Sequence, residues 1–251
     1  MKCGRKAIMW IALVLCLICA VLLALALHSR AEHSKPASKD PEGAIAAQED
    51  EDRTVDVPVD FAAWQERNPD IYAWIEYPGT NVDYPIVQSA EDDAYYLRRD
   101  IDGKEAVAGS LYTEHTYNSK TFDDPVTVIY GHNMANRTMF GGLQSHIEAA
   151  DLASTEEYFY VYLPGRILTY RVVGGAPGDD AHILYYNDFS DPTGFSNYFG
   201  NLYAQSGGHV NLPGLLRPSP DDRVVILATC MNGEKYLRYL IIGVLTDDTA
   251  D

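Results

Sequence analysis

The stretch "RVVILATCMNGEKYLRYLIIGVL", Arg223 to Leu245, decides how this chain folds. Val224, Val225, Ile226 and Leu227 form an unbroken apolar run, mostly β-branched, of the kind that makes a buried strand. The run stops at Thr229 and Cys230, which leaves a thiol at the strand's lip. Tyr239 to Leu245 repeats the pattern, and the intervening "MNGEKYL" carries an Asn232-Gly233 turn signal. Antiparallel pairing sets the end of one strand opposite the start of the next, so Cys230 and Arg238 are expected on one rim of a sheet.

A second strand end has the same character. In "PVTVIYGHNMANRTMFGGL", Pro125 to Leu143, the strand Val126 to Tyr130 is broken by Gly131 and followed at once by His132. Of the seven histidines, His28 and His33 fall in a polar N-terminal stretch. His115, His146, His182 and His209 occupy polar loops or helix-like segments, where a surface position is the ordinary reading. His132 is therefore the candidate partner for the thiol. A free cysteine has a pKa near 8.5, and only its thiolate is a good nucleophile. An imidazolium and a guanidinium close by favour the charged sulfur. The histidine can then protonate a departing amine, while an arginine hydrogen-bonds the oxyanion formed on a carbonyl. Those are the requirements of acyl transfer.

The N-terminus says where such chemistry takes place. Residues 7–27, "AIMWIALVLCLICAVLLALAL", are 21 residues without a charge, enough to cross a bilayer as a helix. Lys2, Arg5 and Lys6 in the tip 1–6 are expected to stay cytoplasmic, which puts everything after His28 outside. A cleaved signal ending at Ala24-Leu25-Ala26 is the competing reading, although the apolar run exceeds the usual signal core. Residues 28–57 are acidic and poor in large apolar side chains, and are expected to act as a flexible stalk. Residues 58–251 make one domain. Cys3, Cys16 and Cys19 lie at or within the apolar segment, so Cys230 has no disulfide partner in that domain and is either a reactive thiol or an inert buried one. The net charge of −17 argues against nucleic acid as a partner, since lysines and arginines supply that affinity.

Elsewhere the domain punctuates itself into short elements. Asp60 to Arg67 suits a capped helix ended by Asn68-Pro69. Ile71–Glu76 and Val82–Val87 suit strands around a Pro78-Gly79 turn, Ser89–Arg99 a short helix, and "GSLYTE" another strand. "YFYVYLPGRILTYRVVGG" is a hairpin about Pro164-Gly165, a type II pair, with Tyr158, Tyr160 and Tyr162 on one face and Phe159, Val161 and Leu163 on the other. "DFSDPTGFSNYFGNLYAQSG" suits helical turns. Many short strands with few helices indicate a barrel or sandwich.

Together, "VILATC", Arg238 and the upstream "VIYGHNM" resemble the sortase family, whose members carry a TLxTC-type motif, a histidine after a strand and an arginine opening the last strand. Ile226 stands where threonine is usual. "YGHNMANRTMFGGL", "IYAWIEYPGTNVDYPIVQ" and "YYLRRDIDGKEAVAGSLY" are particularly similar to class B, and the resemblance spans nearly all of residues 60–246. It implies a mainly β fold, a closed eight-stranded barrel with peripheral helices, including an extra helix within Asp188–Gln205. It implies Cys230 as nucleophile, His132 as general acid/base, Arg238 as oxyanion stabiliser, and Thr229 bordering the substrate groove. The implied partners are proteins bearing a C-terminal LPxTG-like sorting signal, and an amine acceptor such as a peptidoglycan precursor or a pilin lysine. No cofactor is implied, and no metal-ligand pattern is present. The chain carries no sorting signal of its own before Asp251, so it is not expected to be a substrate. A hydrolase passing the acyl group to water, and a binding module with a structural Cys230, are the alternatives.

Overall fold

The computed structural model describes residues 55–234 and 236–250, all within the compact unit Asp52–Asp251. The expected membrane segment 7–27 and nearly all of the stalk lie outside the described residues. Among the described residues, no helix is long and apolar enough to cross a membrane.

Helix α1 (Phe61–Arg67) forms as expected: the Asp60 carboxylate accepts the Ala63 N–H at 3.1 Å, and the helix ends before Pro69. Strands β1 (Ile71–Tyr77) and β2 (Val82–Val87) pair antiparallel. Next come β3 (Leu111–Tyr112), β4 (Val126–Tyr130) and helix α2 (Leu143–Ala149). The expected hairpin is β5 (Tyr158–Leu163) and β6 (Arg166–Asp179), turning at Gly165 with φ +70°. Helices α3 (Ile183–Tyr186) and α4 (Pro192–Tyr203) follow, then β7 (Val224–Cys230) and β8 (Leu237–Asp248). The strands close a barrel in the order β1-β2-β3-β4-β7-β8-β6-β5.

Two expectations shrink. Instead of a helix over Ser89–Arg99, only a 3₁₀ turn at Tyr95–Arg98 forms. The Ser89 hydroxyl accepts from Glu91 and Asp92 N–H, and Asp92 accepts from Ala94 N–H, so side chains divert the donors a helix would use. The strand expected in "GSLYTE" is reduced to Leu111 and Tyr112.

The continuous apolar run of β7 has a clear cause, because both of its faces are buried. Val225 and Leu227 point into the barrel with Ile129 and Phe159. Val224, Ile226 and Ala228 face outward onto Phe195, Phe199 and Leu202 of α4, so Ile226 at the motif's first position serves packing. Those three α4 residues recur at helical spacing and form its buried face. Asp191 caps α4 through Thr193 and Gly194 N–H, with Pro192 at its first position. This is the extra helix expected within Asp188–Gln205.

At the β7 start an ion-pair cluster adds to the strand pairing that closes the barrel. Arg166 forks onto Asp248 at 2.9 and 2.6 Å and reaches Asp123 at 2.8 Å. Arg223 contacts the same two carboxylates at 3.1 and 3.0 Å. The Asp248 side chain is only 2% exposed, and the Arg166 guanidinium holds its pKa down to about 2.

Candidate active site

The opposite end of β7 is where the predicted residues meet. Strands β4 and β7 run parallel, from Val126 beside Val224 to Tyr130 beside Ala228, so both finish at the same rim. The last main-chain bond between them is Gly131 N–H to the Ala228 carbonyl, 3.1 Å. Gly131 passes so close to Leu111 and Phe140 that a side chain there would overlap them. Antiparallel β7–β8 pairing sets Cys230 directly opposite Arg238. Cys230 is exposed and free.

Cys230, His132 and Arg238 line one cavity of about 240 Å³. Thr229 also lines it; its backbone is buried and its hydroxyl has no hydrogen-bond partner. His132 Nε2 lies 2.7 Å from the Leu97 carbonyl oxygen at the end of the 3₁₀ turn. A carbonyl only accepts, so Nε2 carries the hydrogen and Nδ1 is the ring atom available to exchange a proton. Among the described residues, the Arg238 guanidinium donates only to the Leu237 carbonyl, at 3.3 Å, and no carboxylate lies within ion-pair distance. A cation without a carboxylate partner in a concave site is available to a developing anion.

The rest of the cavity was not read from the sequence. His182, expected at the surface, lines it, with Nε2 3.0 Å from Glu114 Oε2 and its ring 4.6 Å from that of Tyr117. Burial raises the Glu114 pKa, partly offset by His182. Tyr112 and Tyr130 stack at 5.4 Å in the same wall, and burial pushes both phenols well above their ordinary range. Glu114, Asp179 and Asp180 add acidic side chains to the cavity lining, and the β6–β8 register puts Asp179 opposite Leu237, next to Arg238. The contact with Leu97 is made by main chain and leaves no side-chain signature. Asn133, directly after the histidine, could have been noticed: it donates to the Cys230 carbonyl at 2.7 Å and to Asn232 Oδ1 at 2.8 Å. Among the described residues, no group of histidine, cysteine and carboxylate side chains could hold a metal ion.

No family model matches the sequence. The chain is 30% identical over 174 residues to Sortase B of Listeria monocytogenes, covering 68% of this chain and 67% of that protein. Its fold is similar to a sortase B of Clostridium perfringens, with TM-score 0.63, 24% identity, and 74% and 86% of the two chains covered. It is likewise similar to the Staphylococcus aureus sortase B–substrate complex, with TM-score 0.62, 19% identity, and 74% and 84% covered. Barrel, strand-end thiol and kinship over two thirds of a curated relative agree: this chain belongs to the sortase family of cysteine transpeptidases, with class B similarity.

Proposed function

We propose that Cys230 is the nucleophile of this transpeptidase, His132 its general acid/base and Arg238 its oxyanion stabiliser. Sγ attacks the scissile carbonyl, and Arg238 donates to the oxygen as negative charge gathers there. The proton on Nδ1 of His132 goes to the departing amine, and an acyl thioester remains on Cys230. An incoming amine gives a proton back to Nδ1 as it displaces the sulfur, forming the new amide. The observation that carries this reading is the convergence of an exposed free thiol, a ring fixed through Nε2 and an arginine without a carboxylate partner in one cavity.

The donor is a protein with an LPxTG-like sorting signal, cut between threonine and glycine, and the acceptor is an amine of the cell-wall precursor or a pilin. Residues 7–27 hold the enzyme in the cell membrane as a single pass, N-terminus inside and catalytic domain outside. The uncharged run and the preceding Lys2, Arg5 and Lys6 support that placement.

A peptide-library cleavage screen with a glycine-type amine present, read by mass spectrometry, tests the reaction and identifies the donor sequence. Amide products support transfer. Acid products alone would make the enzyme a hydrolase.

A further inference from the structure

We infer that Asn133 is a positioning residue that sets where His132 stands relative to the thiol; this rests on the roles proposed for Cys230 and His132. The main-chain ladder between β4 and β7 ends at Gly131 N–H to Ala228 O, 3.1 Å. One residue past His132, the Asn133 side chain takes over, donating to the Cys230 carbonyl at 2.7 Å. His132 thus lies between two ties to β7, one at Ala228 and one at Cys230 itself. The same amide donates to Asn232 Oδ1 at 2.8 Å, and Asn232 N–H donates to Gln144 Oε1 at 2.9 Å. Gln144 is buried on α2, so the strap reaches a fixed point in the core.

On its other side His132 is held by its own loop. Phe140 N–H donates to the His132 carbonyl at 3.0 Å, and Asn133 bridges Met139 in an isolated antiparallel pair. That closed loop could slide against β7 as a unit without the strap, because the ladder is already spent. Asparagine suits the post because one NH₂ supplies both hydrogens, to two acceptors on the far side of the gap. An error of about 1 Å in the placement of a catalytic group can cost roughly a hundredfold in rate.

The test uses the full-length chain with the donor peptide from the library screen and glycinamide. Asn133→Ala is expected to lower kcat about tenfold or more while KM stays within about twofold. Histidine ring ¹⁵N spectra, with the His132 signals assigned by their loss in His132→Gln, give a readout that needs no turnover. The wild type should show one sharp set of ring signals, and Asn133→Ala shifted or broadened ones, as the ring loses its fixed place beside the Cys230 sulfur. If the alanine variant fails to fold, Asn133→Leu, similar in shape but unable to donate, takes its place with the same expectations. A kcat within twofold of wild type, or a lower kcat with wild-type ring signals, overturns the inference. If the wild type itself forms no amide, the ring spectra alone decide, and that outcome counts against the reaction rather than against Asn133.

Discussion

Strand β7 joins two arginine sites that differ in one respect. At its start, Arg166 and Arg223 share Asp123 and Asp248, at 2.6 to 3.1 Å. At its end, across the ladder from Cys230, Arg238 has, among the described residues, a single main-chain acceptor at 3.3 Å. The same residue type does two jobs, set by whether its charge is already answered. The paired site fastens the start of β6, the end of β8 and the Asp123 loop together. In the proposed mechanism, the charge with no carboxylate partner among the described residues serves an anion that exists only during the reaction.

Substitutions should separate the two sites. The largest effect is expected from Cys230→Ala, which should abolish amide formation while thermal melting stays within a few degrees of wild type. Arg238→Lys should follow, lowering kcat about 10²–10³-fold, because a point charge does not reproduce the planar fork at an oxyanion; the melting curve should not move. At the other end the pattern inverts. Asp248→Asn should cost about 3 kcal/mol and lower Tm by about 10 °C, with kcat retained at permissive temperature. Calorimetry and steady-state kinetics on the same samples check both signs.

The pH dependence should show the same division. Asp248 has a folded-state pKa near 2, against an ordinary 3.8. Its contribution to stability is therefore complete above about pH 4 and is lost as pH falls toward 2. Wild type should lose stability through that window, and Asp248→Asn should lose less. Glu114 runs the other way: burial raises its pKa, so its ionised form is a liability at neutral pH that protonation relieves. Glu114→Gln should change stability by no more than about 1 kcal/mol at pH 7, in the favourable direction, the smallest of these effects.

What could be read beforehand follows the same physics. Val224–Leu227 announced a buried strand because both of its faces are covered, and Cys230, His132 and Arg238 were found because each sits where a strand pattern breaks. Pairing Cys230 with Arg238 needed only a hairpin. The parallel contact of β4 with β7 joins strands nearly a hundred residues apart, and nothing local encodes it. His182 looked like a surface residue because its segment was read as polar, yet its ring lies directly against Glu114 in the cavity wall. The Leu97 carbonyl could not be foreseen, since main chain has no residue identity. Over Ser89–Arg99 the capping serine was real, but it closes a turn instead of starting a helix.

The claim on which the account stands is that the acyl group passes through Cys230. Full-length chain mixed with the screened donor peptide, without an amine, should be quenched in acid, digested and mapped by mass spectrometry. The acyl mass is expected on the peptide containing Cys230, removed by hydroxylamine and absent from Cys230→Ala. Amide formation without that adduct, or with the acyl mass on a different residue, would contradict it.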